Sequence, residues 1–433
     1  MFTKQTIRDI DFEGKTVLLR ADYNVPVEDG KITDDYRIKQ SLPTIEYLLK
    51  YNVKLIICSH LGRPISPSDT SCSLFPVAKR LQQMIDRPVE FALDCVGPVA
   101  EKAASGLMNG QILLLENLRF HPEEEANNDD FAQQLASLAD VFVQDGFGVV
   151  HRSHASTSAI TKHLPSVAGL LLEKEVDTIT DVMIKPERPL MAIIGGAKIA
   201  DKLDILNRFI EIADFVALGG AMANTFLAAQ GIDIGDSLYE ESELPQAREI
   251  IRQAEAAAKA RHFIFAIPFD AVVAQKIDKT VPTRIVDWRS HFIADVESYP
   301  KRPPSSYTHV HADEKILDIG PFSGSFIAGG VQLANTVVWN GTMGVTETEG
   351  LQGPIGPYAH GTELIIEALM GELGHKPFTV VGGGDTVGYI ASRKLLYGFN
   401  HVSTGGGASL ELMGGRRLPG VDALLNKTKV DVQ

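Results

Sequence analysis

Cysteine is scarce in this 433-residue chain. Cys58, Cys72 and Cys95 are odd in number and show no C-x-x-C spacing, so neither a disulfide framework nor a thiolate zinc motif is indicated. Positive charge is also short: 41 Lys and Arg face 55 Asp and Glu, a net charge of −14. That balance excludes general binding to nucleic acid or an anionic membrane, which needs a basic surface. A local basic pocket for a small acidic substrate stays compatible with it. No apolar run approaches the roughly 20 residues of a membrane span. The opening residues Met1–Thr6 hold no apolar signal core, and the expected setting is a reducing cytoplasm.

What is present is globular: 44% hydrophobic and 22% charged residues. The length calls for two domains. Short continuous apolar runs alternate with helical patterns. Strands are predicted at 17–20, 54–58, 112–115 and 141–143, then at 190–194, 215–218, 263–267, 336–339, 378–381 and 401–402. Helical spacing runs through Ile38, Leu42, Ile45 and Leu49, and again from Phe131 to Leu138. Runs that do not alternate imply strands buried on both faces, so the fold class is α/β with parallel sheets flanked by helices. The boundary falls within Leu172–Pro189, where 173–184 reads as a helix before the break Lys185–Pro189. Residues 279–313 and 349–357 read as inserted loops, and 426–433 as a polar tail.

Three glycine-rich segments follow β-branched runs: Gly195-Gly196-Ala197-Lys198, Gly382-Gly383-Gly384-Asp385-Thr386 and Gly405-Gly406-Gly407. Such turns bring backbone N–H groups to an anion, and a helix start adds partial positive charge. Lys198 and Lys202 are four apart, so a helix would face both at one phosphate; the bland reading is a surface lysine pair. Asp385 is a candidate Mg²⁺ ligand or a plain helix cap, with Thr386 set to contact a phosphate oxygen. Other motifs fail. Gly14-Lys15-Thr16 lacks the first P-loop glycine, Gly388 comes one residue late for a dinucleotide fingerprint, and His309, His311 and Asp313 read as a solvated loop. In the first half Arg37, Arg63, Arg119, Arg152 and His60 sit in loops after strands or at helix starts. Guanidinium grips phosphate and carboxylate bidentately, which points to a pocket for a small phosphorylated acid.

Seven ordered segments, Leu19–Pro26, Ser59–Pro64, Glu116–His121, Gly195–Lys202, Trp339–Val345, Gly382–Thr386 and Ser403–Leu410, resemble phosphoglycerate kinase, collinearly from Lys15 to about Ala423. The resemblance implies two Rossmann-like domains: residues 1–172 for phosphoglycerate and 186–404 for nucleotide. A hinge helix, 173–185, would join them, and 405–433 would return to the first domain. It implies reversible transfer between ATP and 3-phosphoglycerate, giving ADP and 1,3-bisphosphoglycerate, with Mg²⁺ and as a monomer. Asp22, Asn24, Arg37, His60, Arg63, Arg119 and Arg152 would bind phosphoglycerate. Gly196, Ala197, Lys202, Gly219, Asn340, Glu347, Gly383, Gly384, Asp385 and Thr386 would bind nucleotide, with Glu347 on the ribose and Asp385 on the metal. Arg37, Lys198, Lys202, Gly384 and Gly407 would surround the phosphoryl group in flight. Ala221, Thr342, Thr346 and Ser153 depart from the family's usual residues, the first three on the nucleotide side. The rival reading is a non-catalytic nucleotide-binding protein that kept the fold.

Overall fold

A computed structural model describes residues 2–66, 69–288, 308–351 and 353–427. The chain forms two compact units: residues 1–180 with 407–412 and 416–433, and residues 181–406 with 413–415.

The first unit is built on six parallel strands in the order Val89–Phe91, Ile112–Leu114, Lys54–Cys58, Thr16–Arg20, Val141–Gln144, Ser166–Ala168. Successive side chains serve opposite faces. Val17, Leu19, Leu55 and Ile57 join one buried cluster, whereas Leu18, Ile56 and Cys58 join the other. Two-sided burial is why these strands read as unbroken apolar runs. The C-terminal residues pack onto this unit: Lys4 Nζ donates to the carbonyls of Asp422 (2.7 Å) and Leu424 (3.0 Å).

The second unit holds six parallel strands in the order Ile264–Ala266, Phe215–Leu218, Leu190–Ile194, Thr336–Asn340, Phe378–Gly382, His401–Val402. Numbered along the chain, this sheet runs 3-2-1-4-5-6. Order reverses between Leu190–Ile194 and Thr336–Asn340, and in open α/β sheets the ligand crevice opens at that point, beyond the carboxyl ends. A separate antiparallel sheet, Arg284–Asp287, Asp270–Ala274 and Lys315–Ile319, flanks it. Residues 279–313 are therefore not all inserted loop, because Arg284–Asp287 is a strand. Pro300–Ser306 and most of the polar tail lie outside the described residues. Gly14 turns into the strand Thr16–Arg20 and does not follow one, which removes the P-loop reading.

The helix Leu170–Ile184 starts three residues before the expected one. Asp145, at the end of Val141–Gln144, accepts the N–H groups of Leu171 (2.9 Å) and Leu172 (3.2 Å) on one oxygen. Leu170 N–H goes to the Thr44 hydroxyl at 3.0 Å. These acceptors satisfy the free donors of the first turn.

Candidate active site

In the second unit the loops after Leu190–Ile194, Phe215–Leu218 and Thr336–Asn340 interlock through backbone bonds. Gly195 N–H donates to Asn340 C=O (2.9 Å), Gly196 N–H to Thr342 C=O (3.0 Å), and Gly220 N–H to Met343 C=O (2.8 Å). Gly220 has φ +65°, and a Cβ there would stand 2.5 Å from the Gly196 backbone, so only glycine permits the approach. These loops wall a cavity of about 420 Å³ at the reversal point, lined among others by Gly196, Ala197, Ala221, Thr342, Glu347 and Asp385. Two of the residues that depart from the family's usual pattern, Ala221 and Thr342, therefore face ligand space.

Lys202 is buried at the edge of this wall and donates to the Asn340 carboxamide oxygen. Burial is the main influence on its ammonium and pushes its pKa down to about 8, while Asp201 and Asp385 pull it up. Asn340 Nδ2 is buried with no partner, a donor available for a ligand. Lys198 is exposed, and Ala200–Lys202 is a 3-10 turn ahead of the helix Leu203–Ile212. The two lysines thus do not share a helix face: one is buried, the other projects to solvent. Asp385 is exposed in the first turn of Gly384–Ser392, and Gly383 occupies the cap position. The plain cap reading of Asp385 fails, and its carboxylate is left open on the cavity wall. Gly384 is exposed with open space where a Cβ would stand. Thr386 is fully buried and its hydroxyl accepts Gly341 N–H at 2.8 Å, so it ties two loops together. Gly219 is packed against Met343, whose sulfur would lie 2.5 Å from an added Cβ.

In the first unit the structure brings most of the expected acid-binding residues together. Arg37 Nη1 donates to Asp22 Oδ2 (2.9 Å) and Asn24 C=O (3.2 Å). Asn24 Oδ1 accepts Gly62 N–H (2.9 Å), and Arg119 Nη1 donates to Gly62 C=O (2.9 Å). His60 is buried, its Nδ1 3.4 Å from Arg20 Nη2 and 3.9 Å from Asp22 Oδ1. Burial first, then the charges of Arg20, Arg119 and Arg37, hold its pKa well below the usual imidazole range. His60 is neutral at pH 7, and the guanidinium donor at its Nδ1 favours the proton on Nε2. Arg63 and Arg152 are exposed, and Arg152 Nε donates to His151 Nε2 at 3.1 Å. Gly407 lies beside the same histidine, whose Nε2 would be 3.2 Å from an added Cβ.

Sequence reasoning missed the group beneath this cluster. Arg20 is buried; its Nε donates to Ser156 Oγ (2.8 Å), and its Nη2 lies 3.9 Å from Glu124. Glu124 also accepts Ser156 Oγ–H (2.6 Å) and Ser156 N–H (2.9 Å). In sequence Glu124 sits within Glu123-Glu124-Glu125, which looks like a solvated charge run, so no local signal marks it.

The molecule is an α/β protein with a cavity at the strand-order reversal of one unit and an arginine–histidine cluster in the other. The family model for phosphoglycerate kinase matches residues 7–416. The phosphoglycerate kinase of Moorella thermoacetica is 45% identical, with 98% of this chain and 100% of that protein aligned. That of Pelotomaculum thermopropionicum is 44% identical over 98% and 100%. Among solved structures, phosphoglycerate kinase from Pyrococcus horikoshii superposes with a TM-score of 0.79 at 30% identity, covering 98% of each chain. The enzyme from Coxiella burnetii gives 0.77 at 31%, covering 97% of this chain and 98% of that one. The chain belongs to the phosphoglycerate kinase family, and its activity is that of the family, EC 2.7.2.3, an ATP-binding kinase of glycolysis.

Proposed function

We propose the following division of labour for transfer between ATP and 3-phosphoglycerate. The cavity beside Gly196, Ala197, Gly219 and Glu347 takes the nucleoside, and Lys202, Asn340 and the Gly383–Thr386 turn take its phosphates. Asp22, Asn24, Arg37, His60, Arg63, Arg119 and Arg152 hold the phosphoglycerate, with His60 as a neutral donor. The observation that carries this reading is the cavity at the strand-order reversal, with exposed Asp385 on its wall and the buried Lys202 ammonium beside the lining residue Gly196.

Asp385 suits Mg²⁺: it is an uncommitted, exposed carboxylate on the cavity wall, and its charge acts on Lys202. Bound there with the nucleotide, Mg²⁺ supplies charge neutralisation at the phosphate oxygens. The attacking carboxylate oxygen is already ionised at neutral pH, so no general base is needed. The obstacle is anion–anion repulsion. Arg37, Lys198, Lys202 and the N–H groups near Gly384 and Gly407 offset it as charge spreads over the equatorial oxygens. We further place the protein in the cytoplasm as a monomer.

The test is steady-state turnover of MgATP with 3-phosphoglycerate by wild type and Lys198→Ala. Wild type turns over; the variant loses kcat by about 100-fold or more while keeping most nucleotide affinity. A wild type that binds ATP without turnover would put the non-catalytic reading first.

A further inference from the structure

His121 closes the Glu116–His121 motif yet takes no part in the sites above. Asp94 and Cys95 lie between the strand Val89–Phe91 and the helix Gly97–Gly106, and His121 follows the turn Leu118–Phe120. The strands before these loops, Val89–Phe91 and Ile112–Leu114, are paired neighbours at one edge of the sheet. Among the described residues, Asp94, Cys95 and His121 form the one group of three such side chains whose ligand atoms all lie within 4.8 Å of one another. His121 Nε2 is 2.7 Å from Asp94 Oδ1, and that oxygen also accepts Cys95 N–H at 2.7 Å. The His121 ring is steadied against Phe131, 5.3 Å between centroids. Cys95 is buried, whereas the Asp94 and His121 side chains are 41% and 29% exposed, so an ion has a path from solvent.

The bland account is a His–Asp hydrogen bond closing two loops over a packed thiol. It accounts for the 2.7 Å contact and for Cys95 as a member of the apolar cluster beneath, and the case for a site is that the sulfur also lies within 4.8 Å of both polar ligand atoms. Carboxylate oxygen, thiol sulfur and imidazole nitrogen are together a zinc donor set, and sulfur is a poor partner for Mg²⁺. Zinc bond lengths put ligand atoms about 3.5 Å apart in a tetrahedron. The His121–Asp94 contact of 2.7 Å is shorter than that value and all the ligand atoms lie within 4.8 Å, so side-chain shifts of about an ångström reach the geometry. We propose that Asp94, Cys95 and His121 form a Zn²⁺ site with one position left for water, clamping the two loops together. As the Sγ–Zn bond forms, the thiol proton leaves to solvent, and the proton that His121 Nε2 shares with Asp94 leaves with it or is replaced by one on Nδ1, which frees the Nε2 lone pair and the Asp94 oxygen for the ion. The sequence carries no spacing signal because Asp94 and His121 come from loops 27 residues apart.

The test uses full-length protein without nucleotide, titrated with Co²⁺ as a spectroscopic probe and then with Zn²⁺. Wild type should bind one Co²⁺ with tetrahedral d–d bands and a thiolate charge-transfer band, both bleached by Zn²⁺. His121→Ala and Asp94→Asn, at half-exposed positions and able to fold, should weaken binding by about 10- to 100-fold or more. Cys95→Ser should lose the charge-transfer band, and Cys72→Ser should keep it. Zn²⁺ should raise the Tm of wild type but not of His121→Ala. Binding without a thiolate band, a band that survives His121→Ala, or no binding at micromolar metal would each overturn the proposal. Asp385 cannot produce the band, so the outcome does not depend on the nucleotide site.

Discussion

A buried ammonium that keeps its proton at pH 7 is the most consequential single group in this molecule. Lys202 has its pKa pushed down to about 8, against an ordinary value of 10.5. Folded and unfolded chains are both protonated below pH 8, and there the buried charge costs its full amount, roughly 3 kcal/mol. As pH rises from about 8 towards 10.5 the folded state sheds the proton first, so this cost is relieved. A nucleotide phosphate beside Lys202 raises the pKa again. MgATP binding at pH 8.5 should therefore take up a fraction of a proton, and affinity should fall as pH climbs past 8. Calorimetry in buffers of different ionisation enthalpy measures the uptake. Equal uptake in Lys202→Met would show that another group is responsible. His60 behaves differently: already neutral in the free protein, it should add no titration to kcat/KM between pH 6 and 8. At this scale the sequence named Lys198, Lys202 and Asp385, because a charged residue beside glycines is a local signal. It could not show that one lysine is buried and the other exposed, since a 3-10 turn breaks the four-residue spacing.

The element that depends most on one side chain is the helix Leu170–Ile184, whose first turn is held by Asp145. Gly169 admits that carboxylate, because a Cβ there would lie 2.1 Å from Asp145 Oδ1. Burial pushes the Asp145 pKa up to about 7, with the Thr44 hydroxyl and the helix N–H groups acting against it. An acid raised in the folded state makes stability fall as pH rises from about 4 to 7, because the folded protein holds a proton that the unfolded chain has released. Asp145→Asn keeps an oxygen acceptor and removes the charge. It should raise Tm at pH 8 and flatten the pH dependence relative to wild type. Asp145→Ala orphans two N–H groups and should cost about 1–2 kcal/mol at pH 5. Melting curves from pH 4 to 8 decide it, and parallel profiles for wild type and Asp145→Asn would remove Asp145 as the cause. Central strands such as Lys54–Cys58 and Leu190–Ile194 were legible to the residue, because burial on both faces leaves an unbroken apolar run. Val89–Phe91 and Ser166–Ala168 were not, being three-residue strands at the sheet edges. The antiparallel sheet was missed although Asp270–Ala274 and Lys315–Ile319 are mostly buried, because Asp270, Asp318 and the half-exposed strand Arg284–Asp287, which buries only Val286, break up the apolar runs.

At the scale of the whole molecule, the residues proposed to hold phosphoglycerate fall in one unit and those proposed to hold the nucleotide fall in the other, while Gly407 lies in the first unit. In-line transfer needs the attacking and leaving oxygens within a few ångströms of one another, held there by groups from both sets. Each ligand alone contacts one set and gains nothing from bringing the other near. On the proposed assignment, the cations on each side would share the charge of the other's ligand only when both are bound, so a response to ligands is expected only in the ternary complex. We therefore expect small-angle scattering to give the same radius of gyration for the free protein and for each single-ligand complex, and a smaller one with MgADP and 3-phosphoglycerate together, a pair that cannot react. Arg37→Ala should need more 3-phosphoglycerate to saturate and, at saturation, show less compaction, because it removes a cation that rewards the approach. If the pair leaves the radius unchanged while turnover is normal, the oxygens are already placed without movement. If either ligand alone produces the full compaction, closure answers binding and not the meeting of the two charges.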